Sequence, residues 1–317
     1  MAISAAVAEF GLDVRAGLLK HGQKELHSKY LYDDLGSALF EAITFLPEYG
    51  LTRADERLLE SHSGEIVSAL PPPVRVAELG SGSGRKTRLI LEALQSRQES
   101  TDYHPIDVSA AALSRCRYDL SAIAEVHPVH ASYLDGLEDV VGLREPWERL
   151  LVLFLGSNIG NFERSCGIDF LRRLRRSLRT GDALLMGADL VKPAPRLISA
   201  YDDPTGVTAA FNLNLLARIN RELDADFDLR QWEHAALYNG AEKRIEMHLR
   251  SRTLQAVTIP GADLSVTFHA GETIWTESSH KFTLSDLDRV ARQTGFAPEA
   301  VWTDREWPFA ESLWIAC

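Results

Sequence analysis

From residue 74 onward the chain alternates short apolar runs with segments of helical spacing. Val74-Arg75-Val76-Ala77-Glu78-Leu79 predicts a strand. A Gly/Ser loop follows it, and then residues 86–95 offer Leu89, Ile90, Leu91 and Leu94 for packing along a helix. Residues 103–108 predict a second strand, with Ser109 as the N-cap of an alanine-rich helix running through Leu120. Residues 126–130 can supply a third. The run 150–155 is continuously apolar, as a parallel strand buried on both faces requires, and 183–187 repeats the pattern. Between these two, Phe170, Leu171, Leu174 and Leu178 form the apolar face of a helix whose arginines, Arg172 to Arg179, read as its solvated side. The βαβα alternation predicts a mostly parallel, doubly wound α/β sheet.

The rhythm breaks after Asp189. Pro193 and Pro195 precede a largely helical stretch, 196–222, and strand-like segments follow at 246–252, 254–259 and 264–268. A helical pattern returns near Phe282, and 300–303 with 312–316 can form an edge hairpin on the first sheet. On the N-terminal side, Pro71-Pro72-Pro73 must end any helix through 58–70. These breaks predict a discontinuous Rossmann-like core, 56-191 with 281-317, and a second, α+β domain, 1-55 with 192-280, serving as a substrate-binding cap.

Composition narrows the function classes. The 317 residues are 45% hydrophobic and 25% charged, which suits a folded protein of about two domains. Thirty-four basic against 45 acidic residues, a net charge of −11, argue against nucleic acid as the main partner. The longest apolar run, 150–155, is far short of the ~20 residues of a membrane span. Residues 1–10 lack the features of a secretory signal, and the three cysteines fit neither a disulfide framework nor a zinc site. A cytoplasmic protein, monomeric by default, with no membrane partner, is expected. The ten histidines show no metal-ligand spacing, so no metal is expected.

Glu78-Leu79-Gly80-Ser81-Gly82-Ser83-Gly84 puts three glycines at alternate positions straight after a strand, where a ligand must approach the backbone closely. A phosphate loop needs a glycine immediately before Lys-Thr, but Arg85 separates Gly84 from Lys86-Thr87. The dinucleotide fingerprint G-x-G-x-x-G is nearer, yet the spacing here is G-x-G-x-G after an acidic residue. That variant resembles the S-adenosylmethionine loop of class I methyltransferases. Asp107, ending the second strand, is then placed to accept hydrogen bonds from ribose hydroxyls. Ser81 and Ser83 lack the G-x-S-x-G setting of a hydrolase nucleophile.

Stretches along nearly the whole chain together resemble one family, the histidine-specific Nα-methyltransferases of ergothioneine biosynthesis, which convert L-histidine to its trimethyl betaine, hercynine. They include Tyr32-Asp33 with Gly36-Ser37 and Leu39-Phe40, Leu46-Pro47-Glu48-Tyr49, Glu78-Leu79-Gly80-Ser81-Gly82 with Lys86-Thr87, and Asp107-Val108-Ser109. Further along come Ile159-Gly160-Asn161, Asp189-Leu190-Val191-Lys192, Ala200-Tyr201-Asp202-Asp203, Phe211-Asn212-Leu213-Asn214, Ile245-Glu246-Met247-His248-Leu249, and Thr276-Glu277 with Ser279, Lys281 and Phe282.

The resemblance implies a class I S-adenosylmethionine-dependent methyltransferase with that molecule as co-substrate and a small amino acid as substrate. It implies Asn161 and Tyr201 at the substrate α-carboxylate, Tyr32 near the α-amino group, and Phe40 and Tyr49 as aromatic walls. Met247, Glu277 and Ser279 would surround the imidazole. Tyr32, Asn161 and Tyr201 are the expected catalytic set; Tyr49, Gly80, Lys86, Asp107, Ser132 and Tyr133 are the expected co-substrate set. Several positions depart from the family pattern: Ser132-Tyr133 stands for Asp-Phe near the adenine, Ser83-Gly84-Arg85 differs from the usual loop, Asn158 stands for Thr, Ser278 for an apolar residue, and Gly50 for an aromatic. The alternatives are an Nα-methyltransferase acting on another amino acid, such as tryptophan or a histidine analogue, and a non-catalytic S-adenosylmethionine-binding protein. A nicotinamide-dependent oxidoreductase is more distant.

Overall fold

In a computed structural model, which describes residues 5–317, the strand Val74–Leu79 is buried along its whole length. It pairs in parallel on both edges, with Asp102–Asp107 (Val76 opposite Tyr103) and with Arg149–Phe154 (Val74 opposite Arg149). A strand in that position has no solvent face, which is why its pattern is continuous rather than alternating. Ala183–Asp189 adds in parallel to Arg149–Phe154. The third strand is two pieces, Glu125–Val126 and Val129–His130, both parallel to Asp102–Asp107. Pro128, which has no N–H for the ladder, lies in the gap.

Phe296–Thr303 and Phe309–Ala316 form the expected antiparallel hairpin. Only the first of them is an edge, because Phe309–Ala316 inserts beside Ala183–Asp189. Numbered along the chain, the strands stand in the order 3-2-1-4-5-7-6, with the seventh alone running against the rest. The order reverses between strands 1 and 4, and open α/β sheets bind ligands outside the carboxyl ends of the strands at such a point.

Alternate sheet residues face opposite sides and build two cores. Val152 and Phe154 pack with Leu137, Phe170, Leu171, Leu174 and Leu287, from the helices Tyr133–Leu143, Arg164–Ser177 and Leu284–Gln293. Leu151 and Leu153 pack with Leu59, Ile66, Ile90, Leu91 and Leu120, from Gly50–Ser68, Thr87–Gln95 and Ala110–Leu120. Ser109 caps the last of these, accepting from the Ala112 N–H at 3.2 Å. Arg172, Arg173 and Arg176 are exposed, while Arg175 is half-buried and donates to Gly295 O.

The contacts divide the chain into two compact units: Met1–Tyr49 with Pro193–Ser279, and Gly50–Lys192 with His280–Cys317. Residues 1–4, the start of the segment read for a secretory signal, lie outside the described residues. The first unit holds a four-stranded sheet in the order Lys24–Glu25, Thr273–His280, Arg244–Ser251, Trp232–Asn239, and a hairpin, Gln255–Ile259 with Leu264–Phe268. The helical stretch expected at 196–222 is two helices, Ala194–Tyr201 and Val207–Leu223. Asp203 explains the break: its carboxylate accepts from the Val207 and Thr208 N–H groups at 3.1 and 2.8 Å, starting a new helix. Among the described residues no helix is long and apolar enough to cross a membrane.

Candidate active site

In the second unit the glycine loop leaves the end of strand 1. Gly80 has φ +74°, and a Cβ there would stand 2.9 Å from Asn158 Nδ2 and 3.1 Å from Tyr133 Oη, so only glycine fits beneath them. The loop is pinned on both sides. Outside, Asp107 accepts from the Gly82 N–H at 3.1 Å and from the Ser109 N–H at 2.9 Å, which fixes its carboxylate at the end of strand 2. Inside, the Glu78 carboxylate accepts from Thr87 Oγ1 at 2.6 Å and from the Tyr103 hydroxyl. Burial pushes Glu78 up to about 7, against the pull of those hydroxyls and of Lys86. The Ser81 hydroxyl is buried in the loop with no hydrogen-bond partner.

Lys86 forms an ion pair with Asp55, which also accepts from the Gly156 N–H at 3.0 Å. Burial opposes the Lys86 ammonium, but the carboxylates of Asp55, Glu78 and Glu311 outweigh it and hold its pKa above the ordinary value. Tyr133 packs edge-on against Phe154, and burial raises its hydroxyl pKa. Ser132 is exposed, and its hydroxyl donates to Asp135 at 2.6 Å. Asn161 ends the 3-10 turn Asn158–Asn161, half-buried.

The first unit gathers most of the residues assigned to the amino acid. Tyr32, half-buried, donates from its hydroxyl to Glu277 Oε1 at 3.3 Å. Tyr201, at the end of its helix, shares a 2.7 Å hydrogen bond with Ser279. The rings form a continuous set: Tyr32 lies edge-on to Phe40 at 5.6 Å, Phe40 to Tyr49 at 6.3 Å, and Tyr49 to Tyr201 at 6.0 Å. Phe211, quoted above only as part of a motif, completes it against Tyr32 and Phe40. Met247 is buried one strand away, its carbonyl accepting from Thr276 Oγ1 at 3.0 Å. His234 anchors the end of the Tyr201 helix: its Nε2 donates to Tyr201 O at 2.7 Å and its Nδ1 accepts from Asn212. Burial lowers its pKa, which suits that neutral tautomer.

Two carboxylates absent from the sequence reading lie by the loop, Asp55 and Glu311. Each carried a signal. Asp55 occupies the apolar stripe of its helix, with Leu51, Leu58 and Leu59, and Glu311 interrupts an apolar strand. Among the described residues, Asp102, Glu125 and His127 bring metal-ligand atoms within 4.8 Å of one another, but Asp102 already pairs with Arg75 at 2.7 Å.

The sequence profile of the family described as histidine-specific methyltransferase, SAM-dependent, matches residues 10–316. The chain belongs to that family. Among relatives of this methyltransferase, the histidine N-alpha-methyltransferase of Mycolicibacterium smegmatis is 43% identical over 99% of this chain and 97% of its own length. The Mycobacterium tuberculosis protein of the same name is 44% identical over 95% and 93%. Ergothioneine biosynthesis protein 1 of Neurospora crassa is 30% identical over 90% of this chain, which matches 32% of that longer protein.

The 3-2-1-4-5-7-6 sheet is the class I S-adenosylmethionine-dependent methyltransferase fold. The methyltransferase's loop suits its co-substrate. Glycine at 80 leaves the backbone open to close approach, the Asp107 carboxylate stands at the strand-2 end where a ribose is expected, and the unpartnered Ser81 hydroxyl offers one more polar contact.

Proposed function

We propose that this protein transfers three methyl groups in succession from S-adenosylmethionine to the α-amino nitrogen of L-histidine, giving hercynine, as a step of ergothioneine biosynthesis. The observation that carries the substrate reading is the pair Glu277 and Ser279, both buried, at alternate positions of one strand, each met by a tyrosine hydroxyl. Alternate strand positions share a face, so a carboxylate and a hydroxyl are presented side by side. An imidazole, with two ring nitrogens, can hydrogen-bond to both; an apolar amino acid can bond to neither and still strips them of water, which is how a polar site rejects the wrong substrate strongly.

S-adenosylmethionine supplies a methyl group on a sulfonium, open to in-line displacement by a nitrogen lone pair. The residues' task is positioning and exclusion of water. Gly80, Lys86, Asp107, Ser132 and Tyr133 are assigned to holding it, with Tyr49 as an aromatic wall. Tyr32 donates its hydroxyl hydrogen bond to Glu277, an orientation in which its oxygen can accept from the substrate ammonium and orient it. Asn161 and Tyr201 are assigned to the α-carboxylate as amide and phenol donors. A proton must leave the nitrogen before each transfer, and water is assigned to carry it away. The quaternary product has no proton left to lose, which ends the series at three. The rings of Tyr32, Phe40, Tyr49 and Phe211 suit the growing alkylammonium, since cations are attracted to aromatic faces.

The test is incubation with S-adenosylmethionine and a panel of amino acids, read by mass spectrometry. Trimethylation of L-histidine is expected. If another amine gains methyl groups while histidine stays unmodified, the reading of Glu277 and Ser279 is wrong; silence across the panel with tight co-substrate binding would favour a binding protein.

A further inference from the structure

The reaction as described leaves a buried group of charges beside the glycine loop without a task. Asp55 and Glu311, from the helix Gly50–Ser68 and the strand Phe309–Ala316, are both fully buried. Asp55 Oδ2 takes the Lys86 ammonium and the Gly156 N–H. Glu311 reaches the same place because residue 187 is glycine: a Cβ there would stand 2.7 Å from Glu311 Oε1 and 3.2 Å from Gly156 N. Both Glu311 carboxyl oxygens and Asp55 Oδ1 are buried there without a hydrogen-bond partner. One ammonium beside two fully buried carboxyl groups leaves an excess negative charge out of water, and a buried carboxyl group with no partner favours keeping its proton.

Sheet order says which end of the co-substrate this group serves. Asp107, the ribose position, ends strand 2, on one side of strand 1. Lys86 lies on the other side, where a Cβ on Gly156, just past strand 4, would be 3.3 Å from its Nζ. A ligand lying across the switch point with its nucleoside at Asp107 therefore turns its other, amino-acid end toward Lys86.

We propose that Asp55 and Glu311 are positioning residues for co-substrate recognition: together they set the place and the net charge of the Lys86 ammonium, which receives the α-carboxylate of S-adenosylmethionine. The inference rests on the reading of this loop as an S-adenosylmethionine site. With one proton on the pair, Asp55 and Lys86 cancel and a ligand carboxylate meets no excess negative charge. Without it, two carboxylates compete with the ligand for one ammonium. The groups facing Glu311 are Asp55 and Lys86; those facing Lys86 are Asp55, Glu78 and Glu311. Burial and the Asp55 carboxylate hold the proton on Glu311 well above the ordinary carboxylate range, against the pull of Lys86. The proton is therefore held to higher pH than on an ordinary carboxyl group, and affinity falls as rising pH removes it.

The experiment is calorimetric binding of S-adenosylhomocysteine, and of methylthioadenosine, which lacks the amino-acid end, to the whole protein across pH 5.5 to 9.5. Melting temperatures confirm that each variant is folded. Glu311→Gln mimics the protonated acid. It is expected to bind S-adenosylhomocysteine like wild type at the acid end of the range and to lose at least about threefold less affinity by its alkaline end. The ligand's own amine titrates alike with both proteins, so the difference between them is the reading. Asp55→Asn, which removes the anchor of the ammonium, should weaken S-adenosylhomocysteine about tenfold and leave methylthioadenosine within twofold. Parallel pH profiles for wild type and Glu311→Gln would overturn the proposal, as would equal losses for both ligands in Asp55→Asn, which indicate a merely structural role. Failure of wild type to bind S-adenosylhomocysteine at all would instead overturn the reading of the site.

Discussion

Replacing Glu277 by alanine should damage histidine recognition and spare the co-substrate. Glu277 is 8% exposed, so its hydrogen bonds are made out of water. Its backbone is held separately, by the Trp275 indole N–H donating to Glu277 O at 3.0 Å, and the strand survives the change. What is lost is one charge-assisted hydrogen bond to an imidazole N–H, together with the acceptor of the Tyr32 hydroxyl. Such a bond contributes about 2–3 kcal/mol, a loss of roughly 30- to 150-fold in kcat/KM for L-histidine. Glu277→Gln keeps an acceptor without the charge and should lose roughly half that free energy. Affinity for S-adenosylhomocysteine should stay within about twofold in both, since Glu277 belongs to the first unit's sheet and the co-substrate residues of the glycine loop to the second. Steady-state kinetics at saturating co-substrate, beside calorimetry with S-adenosylhomocysteine, read the two effects apart. Equal losses in both, or an alanine variant within threefold of wild type on histidine, would refute the assignment.

Three further changes test the second unit. Gly80→Ala puts a side chain at φ +74° and within 2.9 Å of Asn158, so S-adenosylhomocysteine binding should weaken about tenfold, for roughly 1–2 kcal/mol of strain; unchanged affinity would contradict the loop's role. Asp182→Ala removes the partner of the fully buried Arg144 and the acceptor of the Leu150 and Arg179 N–H groups, and should cost about 3–5 kcal/mol, seen as a melting temperature lower by roughly 6–15 °C. Glu78, held near 7 by burial, keeps its proton in the folded state where an unfolded chain has lost it. Its contribution to stability is present below its ordinary pKa and is lost as pH rises to about 7. Glu78→Gln should flatten that fall by up to about 3 kcal/mol, and parallel melting curves from pH 4.5 to 8 would count against it.

What was legible in the sequence is what a local pattern dictates. A strand buried on both faces must be apolar throughout, so Arg149–Phe154 and Ala183–Asp189 stand out from their neighbours. Ser109 sits where a helix must begin, and the glycine loop follows its strand directly. The misses have the same origin. Trp232–Asn239 went unassigned because its half-buried pattern is no stronger than that of a loop. The break at Asp203 is made by backbone hydrogen bonds that spacing does not reveal, and the place of Phe309–Ala316 inside the sheet depends on a neighbour far away in sequence.

The site divides along the same line. Asp107 and Gly80 are legible because each is tied to the end of its own strand. Glu277 and Ser279 were recognised through resemblance, and what makes them a pair, a tyrosine hydroxyl on each, comes from helical and turn segments distant in the chain. Asp55 and Glu311 lie further still from local reading. A carboxylate in an apolar stripe signals only that a partner exists, because an unpaired buried charge is too costly to keep. Which partner it has follows from strand order: the seventh strand's insertion beside the fifth brings Glu311 to Gly187 and so to Asp55 and Lys86. An isolated acid inside an apolar run is therefore a question put by the sequence, and in this protein the topology of the sheet answers it beside the loop that holds the co-substrate.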